Sequence, residues 1–182
     1  EIEFETSHLA ADVIFRTLFS LPITNQIATQ MFDQFKIYQR SQPLLNAAAF
    51  FRFPRWFPQF FRGDTRRSAR SIRRLITQLT KERMDQINAG TAPDDLATKI
   101  MTQRDPETDD RFSIEEMVDQ VAIFFLAGHE TSASALAWAL YLLATHPDWQ
   151  EQVAKEAAIL TAPDYASVAK LKLSRDVFRE TL

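Results

Sequence analysis

The chain has 182 residues, of which 46% are hydrophobic and 25% are charged, an ordinary composition for part of a globular protein. Its formal net charge of -3 gives no electrostatic basis for nucleic-acid binding, and the lack of cysteine excludes disulfides and thiolate metal ligands within these residues. Glycine is scarce and long stretches repeat with a 3.6-residue period, so the sequence predicts a mainly α-helical fold with little sheet.

The first two predicted helices each carry an apolar stripe. In residues 8–21 the stripe indicates a core-facing helix and consists of Leu9, Val13, Ile14, Leu18 and Leu21. Asp12 and Arg16 lie four residues apart on this helix, so we expect them to form a surface ion pair. Thr24 or Asn25 can cap the second helix. Its apolar positions are Ile27, Met31, Phe35 and Tyr38.

Residues 50–61 combine seven aromatic residues with two arginines and two prolines. The prolines exclude a regular helix through this stretch. One interpretation is an irregular loop whose rings pack on the helical bundle. Another is a substrate-entry rim or a membrane-dipping patch, because aromatic and basic side chains together suit an interface. Stacking on single-stranded nucleic acid is disfavoured by the acidic charge of the chain.

A long basic helix is predicted over residues 66–87, with Asp64 or Thr65 as its cap. Its apolar face consists of Ile72, Leu75, Ile76, Leu79 and Ile87. Its arginines predict a solvated basic face and are Arg66, Arg67, Arg70, Arg73 and Arg74. A proline and two aspartates open a short helix over residues 93–103. The polar residues 104–111 are expected to form a surface loop.

The longest predicted helix, over residues 113–145, is the centre of the fold. Ser113 and Glu116 form a capping box at its start, and Pro147 ends it. Residues 121–144 are nearly all apolar or small, which predicts a helix buried on all sides in a protein core or a membrane. A membrane span is disfavoured because an ionised group at its middle costs about 2.5 to 3.5 kcal/mol on insertion scales.

The middle of this helix has the sequence AGHET, residues 127–131. A zinc site of the HExxH type is excluded because alanine stands where the second histidine is required. Gly128 weakens the helix by roughly 1 kcal/mol relative to alanine. The Thr131 hydroxyl can bond to the carbonyl of Ala127, so we expect bending and local opening there. A flat ligand could approach Ala127, and Glu130, a carboxyl group that is costly to ionise when buried, is a candidate proton carrier.

Two further helices are predicted after Pro147. The first has core-facing positions Trp149, Val153, Ala157 and Leu160. A linker then leads to a final helix from about Ser174, which includes the sequence FRETL at residues 178–182. Taken together, AGHET, the following HPDWQEQVAKEA and FRETL resemble the cytochrome P450 family, the haem-thiolate monooxygenases. That family carries Ala/Gly-Gly-x-Asp/Glu-Thr across the haem face, and a Glu-Thr-Leu begins its Glu-x-x-Arg motif.

The resemblance implies the central helical part of the cytochrome P450 fold and a haem b cofactor. The chemistry expected of the family is reductive activation of dioxygen at the haem iron and insertion of one oxygen atom into an organic, hydrophobic substrate. The electrons would come from a flavin reductase or an iron-sulfur ferredoxin. In this chain Ala127 and Gly128 would bind the cofactor at the dioxygen site, and Thr131 and Glu130 would be the catalytic residues that manage proton delivery.

The resemblance also assigns residues outside the oxygen site. Substrate contacts are expected at Ile123, Phe124 and Leu126, and Glu180 would be the structural glutamate of the Glu-x-x-Arg motif. A haem-thiolate enzyme needs a cysteine ligand, so residues 1–182 are expected to form part of a single domain whose N-terminal part and C-terminal haem-ligand part lie outside this sequence. No residue of the chain is then a metal ligand.

Two other functions stay open from the sequence. The main alternative is a non-catalytic helical interaction domain, in which AGHET is accidental packing. A peroxidase or isomerase variant of the same fold is disfavoured by Thr131. Localisation is also open: a bacterial protein would be cytoplasmic, and the sequence does not exclude membrane attachment.

Overall fold

The computed structural model describes residues 2–41, 63–104, 106–161 and 164–182, and these residues form helices with no strand among them. In chain order the helices are α1 (Ile2–Phe19), α2 (Gln26–Ser41), α3 (Gly63–Asn88), α4 (Leu96–Thr102), α5 (Ile114–Thr145), α6 (Pro147–Ala157), α7 (Tyr165–Val168) and α8 (Lys172–Arg179). The prediction of a mainly helical fold is therefore confirmed. The aromatic stretch 50–61 lies outside the described residues.

Local sequence signals set the ends of several helices. The backbone N–H of Ser113 donates to Glu116 Oε2 at 2.8 Å and that of Glu116 donates to Ser113 Oγ at 3.3 Å, so the predicted capping box of α5 is confirmed. Pro147 begins α6, which confirms the predicted end of α5. Asp95 caps α4 by accepting the backbone N–H of Thr98 at 3.0 Å. These ends follow from contacts within four residues.

Residues 11–126 form one packed unit that contains the main hydrophobic core. At its centre lie Phe15 of α1, Phe35 of α2 and Phe125 of α5, all of them buried. The ring centroid of Phe125 is 5.0 Å from that of Phe15 and 4.3 Å from that of Phe35. Burial of each such side chain stabilises the fold by about 1.5 to 3 kcal/mol. These contacts fix the distant helix α5 against α1 and α2.

The buried face of α1 matches the predicted one only in part: Leu18 is buried as predicted, and Ile14 and Leu21 are partly buried against the core. Leu9 and Val13 are 51% and 54% exposed, so their predicted place in the core is wrong. The buried residues in this part of α1 are Ala10, Ala11, Phe15, Leu18 and Phe19. Apolar residues repeat at helical spacing on both faces, so periodicity could not choose between them. The packing of Phe15 against Phe125 decides which face is buried.

Helices α2 and α3 mostly match their predictions. Asn25 provides the acceptor at the start of α2, since its Oδ1 accepts the backbone N–H of Ile27 at 2.9 Å. On α3 the predicted arginines are exposed, and the buried apolar residues are Ile72, Leu75, Ile76 and Leu79. The predicted cap of α3 is wrong because the helix already begins at Gly63. Thr65 lies inside the helix, where its hydroxyl donates to the carbonyl of Ser41 at 3.1 Å.

A second unit contains the residues up to Ala10 together with Ala127–Leu182. Its α5 exposes Trp138 and Tyr141 by 59% and 56%, and Trp149 on α6 is 49% exposed. The predicted burial of α5 on all sides and the predicted core-facing position of Trp149 are therefore wrong for this chain, because the described residues supply too few neighbours to cover these faces. Among the described residues, no helix has the length and apolar character needed to cross a membrane.

One buried hydroxyl on α3 leads to a stability prediction. Thr80 is fully buried, and its Oγ1 has no hydrogen-bond partner among the described residues. A buried polar atom without a partner keeps its desolvation cost, so Thr80→Val should raise the free energy of unfolding by about 1 kcal/mol. Denaturant unfolding of the full-length protein measures this difference. Thr77→Val is the matched control, because the Thr77 hydroxyl donates to the carbonyl of Arg73 at 2.8 Å and its removal offers no such gain.

Candidate functional site

The AGHET segment lies within α5, where one of its two predicted features, a hydrogen bond, is confirmed and the other, a local opening of the helix, is not. Ala127 and Thr131 are exposed, and the Thr131 hydroxyl donates to the Ala127 carbonyl at 2.6 Å, which confirms the expected bond. The predicted local opening is wrong, because α5 runs without interruption from Ile114 to Thr145. A carbonyl oxygen has two lone pairs, so it can accept the hydroxyl as well as a backbone N–H.

This bond fixes what the Thr131 hydroxyl can do. Its one proton is committed to the Ala127 carbonyl, so the oxygen offers its remaining lone pairs as an acceptor. A water or other protonated species can therefore donate to Thr131 Oγ1. Beside it, Ala127 adds only a methyl group and Gly128 adds no side chain. The surface formed by Ala127, Gly128 and Thr131 is thus small and uncharged, with one side-chain oxygen for hydrogen bonding.

His129 lies on the opposite side of the helix from this face. It is 2% exposed, and its Nε2 lies 3.0 Å from Ser7 Oγ of α1. Burial lowers the pKa of His129 below its ordinary value, although hydrogen bonding to Ser7 and the charge of Glu130 act in the other direction. The imidazole is therefore neutral at neutral pH. Sequence reasoning did not find Ser7, because a partner 122 residues away leaves no local signal.

Glu130 is exposed, so the burial predicted for its carboxyl group is wrong for the described structure. The packing of His129 on one side of α5 turns Glu130 towards solvent, about 100° further round the helix. A solvent-facing carboxylate can exchange protons with water. Within the described residues, no group of three histidine, aspartate or glutamate side chains is placed to hold a metal ion.

The predicted substrate-contact residues are also on α5. Ile123, Phe124 and Leu126 are 58%, 44% and 47% exposed, which is high for large apolar side chains. Their apolar surface is available for contact with a ligand or with further protein. Their assignment to substrate binding stays a prediction.

Glu180 follows the last turn of α8, and α8 is held by a carboxylate that sequence reasoning missed. Glu156 on α6 accepts the backbone N–H of Leu173 through Oε1 and that of Ser174 through Oε2, both at 2.8 Å. These bonds hold α8 against α6 by capping its first turn. The exposed Glu180 contributes to an apolar cavity of about 430 Å³ that is also lined by Trp149 and Val177. Its structural role stays a prediction.

Comparison with known proteins gives consistent matches. The protein-family model of Cytochrome P450 matches residues 1–182. The chain is 27% identical over 192 aligned residues to a cytokinin hydroxylase of Arabidopsis thaliana, covering 100% of this chain and 37% of that protein. It is 33% identical over 111 residues to a bifunctional cytochrome P450/NADPH–P450 reductase 2 of Bacillus subtilis (strain 168), covering 59% of this chain and 10% of that protein.

A solved structure shows the same fold. The crystal structure of the cytochrome P450DA heme domain superposes with a TM-score of 0.70 at 24% sequence identity, covering 100% of this chain and 39% of that one. At this identity the likeness concerns the fold alone. The chain thus spans less than two fifths of the length of the relatives that it matches from end to end.

Proposed function

This chain belongs to the cytochrome P450 family, and from that premise we propose that it forms the oxygen-site helix and its supporting helices in a haem-dependent monooxygenase. The observation that carries the proposal is the exposed face of AGHET, where the Thr131 hydroxyl is tied to the Ala127 carbonyl at 2.6 Å. In a helix with only a scaffold role, a small hydrogen-bonding surface among apolar residues would have no function. The substrate would be a hydrophobic organic molecule.

The residues present fit a haem lying against α5. The exposed side of the helix carries a methyl group at Ala127 and no side chain at Gly128, so a flat apolar group can lie close to the backbone there. Within AGHET, Glu130 is the only charged side chain, and Ala127, Gly128 and Thr131 are uncharged. When bound, the haem would supply iron-centred activation of dioxygen, and Ala127 and Gly128 would form the wall beside it.

Two side chains beside Ala127 and Gly128, those of Thr131 and Glu130, would deliver protons. The oxygen of Thr131 can accept a hydrogen bond from a water, because its own proton is donated to Ala127. That water is then held beside the small face. Glu130 is exposed and can take up protons from solvent and pass them on through water. Positioned proton transfer of this kind contributes typically about 10² to 10⁴ in rate.

The remaining parts of such an enzyme would come from outside this sequence. The chain has no cysteine, so we propose that the thiolate ligand belongs to a further segment of the same domain. Electrons would come from a flavin reductase or a ferredoxin. One relative bears the name of a P450 fused to an NADPH–P450 reductase, which supports a reductase as the donor class.

Reduced haem under carbon monoxide tests the proposal in the full-length protein. We expect stoichiometric haem and the red-shifted Soret band of thiolate-ligated haem, together with a spectral shift when a hydrophobic substrate binds. A full-length protein that takes up no haem would contradict the monooxygenase and favour the helical interaction domain.

Haem content also tests Glu180. We expect Glu180→Ala to abolish haem incorporation in the full-length protein, because the family motif pairs this glutamate with an arginine one turn further along the helix. Haem content per protein, measured after purification, gives the result. Glu151→Ala is the control, since Glu151 is an exposed carboxylate on α6 that pairs with Lys155 at 2.7 Å. Normal haem in Glu180→Ala with selective loss of turnover would argue for a catalytic role instead.

A further inference from the structure

His129 is a buried polar side chain to which the proposed function gives no role. It is 2% exposed, whereas Ala127, Glu130 and Thr131 around it are exposed. Its Nε2 lies 3.0 Å from Ser7 Oγ, so the two side chains link α5 to α1. Burying an imidazole without a hydrogen-bond partner costs free energy, so this contact is needed for the burial of His129. Unlike apolar packing, a hydrogen bond also has a defined direction.

Helix geometry connects this bond to the exposed face. Successive residues of an α-helix are rotated by about 100° around its axis. Ala127 and Thr131 are therefore about 40° apart on one side, and each is about 160° from His129. A hydrogen bond that holds His129 against α1 must turn Ala127 and Thr131 away from α1. Their exposure agrees with this rotation.

Phe125 packs against Phe15 and Phe35, but beyond it the apolar packing of α5 involves only small buried side chains. Gly128 has no side chain, and the buried residues that follow His129 on α5 are alanines, Ala133, Ala135 and Ala139. Small side chains bury little area and leave the rotation of a helix poorly fixed. The Ser7–His129 bond has a defined distance and direction, so it can fix what the alanines cannot.

We infer that Ser7 and His129 are positioning residues, whose hydrogen bond sets the rotation of α5 so that Ala127 and the Thr131 hydroxyl face the cofactor. This inference rests on the proposed function, and it adds Ser7 of α1 to the residues that determine the geometry of the oxygen site. Ser7 touches neither cofactor nor substrate in this role. It acts only through His129 and the helix that carries Thr131.

Two variants of the bond and one control test the inference in the full-length, haem-loaded protein. Ser7→Ala removes the hydroxyl, and Ser7→Thr keeps it. Thr6→Val is the control, because buried Thr6 is the neighbouring residue and its hydroxyl donates to the Glu3 carbonyl of its own helix at 3.2 Å. Two quantities are measured: amide hydrogen exchange in peptides covering residues 127–133, and product formed per reductant consumed.

We expect Ser7→Ala to speed amide exchange over residues 127–133 by about fivefold, the effect of one net hydrogen bond. Product per reductant should fall at least about threefold, since small misplacements of reacting groups carry large costs. Ser7→Thr and Thr6→Val should stay at the parental values. Unchanged exchange in Ser7→Ala, or an equal change in Thr6→Val, overturns the inference.

A fourth variant separates failure of this inference from failure of the proposed function. If Thr131→Ala lowers product per reductant but Ser7→Ala does not, the proton role of Thr131 stands and the positioning role is overturned. If Thr131→Ala has no effect on product per reductant, the proton role that the proposed function gives to Thr131 fails. The exchange rates then decide the structural claim alone: faster exchange in Ser7→Ala supports it, and unchanged exchange overturns it.

Discussion

Replacing Asp95 by asparagine should lower the free energy of unfolding by about 3 to 5 kcal/mol, because it leaves the charge of Arg83 buried without a counter-charge. Both side chains are at most 5% exposed, and Arg83 Nη1 donates to Asp95 Oδ2 at 2.5 Å. Arg83 also donates to the carbonyl of Phe19 at 2.8 Å. Ser20 donates to the same carboxylate at 2.9 Å. The pair therefore ties α1, α3 and α4 together.

An exposed ion pair of the same chain provides the control. Arg73 on α3 donates to Asp119 on α5 at 2.7 Å, but both side chains are more than half exposed. Exposed pairs contribute about 0 to 1 kcal/mol, so Asp119→Asn should change the free energy of unfolding by no more than this. Denaturant unfolding of both variants in the full-length protein measures the difference. Equal effects of the two substitutions would show that burial of the Arg83–Asp95 pair does not matter.

The same pair predicts a pH dependence. Burial alone would raise the pKa of Asp95, but hydrogen bonds from Arg83, Thr98 and Ser20 outweigh it, so the pKa lies below its ordinary value of 3.8. A carboxyl group with a lowered folded pKa adds stability above its unfolded pKa and loses it as the pH falls through the folded one. The difference between the parent and Asp95→Asn should therefore be constant near neutral pH and shrink only below about pH 3.8.

The pair also shows where sequence reasoning reaches its limit in this fold. The sequence predicts a short helix opened by Pro93, Asp94 and Asp95, and the structure has that helix begin at Leu96 with Asp95 as its N-cap. Burial of the arginine twelve residues earlier does not follow, because Arg83 stands in a helix whose other arginines are exposed. Whether a charged residue is buried depends on a partner brought near by tertiary packing. Propensity and periodicity contain no such information.

The same limit applies to the candidate site: a hydrogen bond within one helix could be predicted, and a contact between helices could not. The bond between Thr131 and Ala127 spans four residues and was predictable from helix geometry alone. The partner of His129 was not, because Ser7 is on another helix. Exposure of Glu130 was also missed, since a nearly all-apolar helix indicates burial on every side and does not show which side lacks neighbours.

Replacing Thr131 by alanine should uncouple reductant consumption from product formation in the full-length enzyme. The substitution removes the only hydroxyl oxygen of the exposed AGHET face and with it the acceptor that would hold a water there. Haem and substrate should still bind, because Ala127 and Gly128 are unchanged. Product per reductant should fall at least about tenfold, given the 10² to 10⁴ in rate that positioned proton transfer typically supplies. The lost reducing equivalents should be recovered as hydrogen peroxide.

Two further variants separate this role from a merely structural one. Thr131→Ser keeps a hydroxyl and loses a methyl group, so it should retain most of the coupling. Thr17→Ala removes a similar bond elsewhere, since the exposed Thr17 hydroxyl donates to the Val13 carbonyl at 2.7 Å on α1. If the Thr131 hydroxyl only shapes its helix, its loss should matter no more than that of Thr17. Product and peroxide per reductant in all three variants decide the matter, and parental coupling in Thr131→Ala would rule out proton delivery through this side chain.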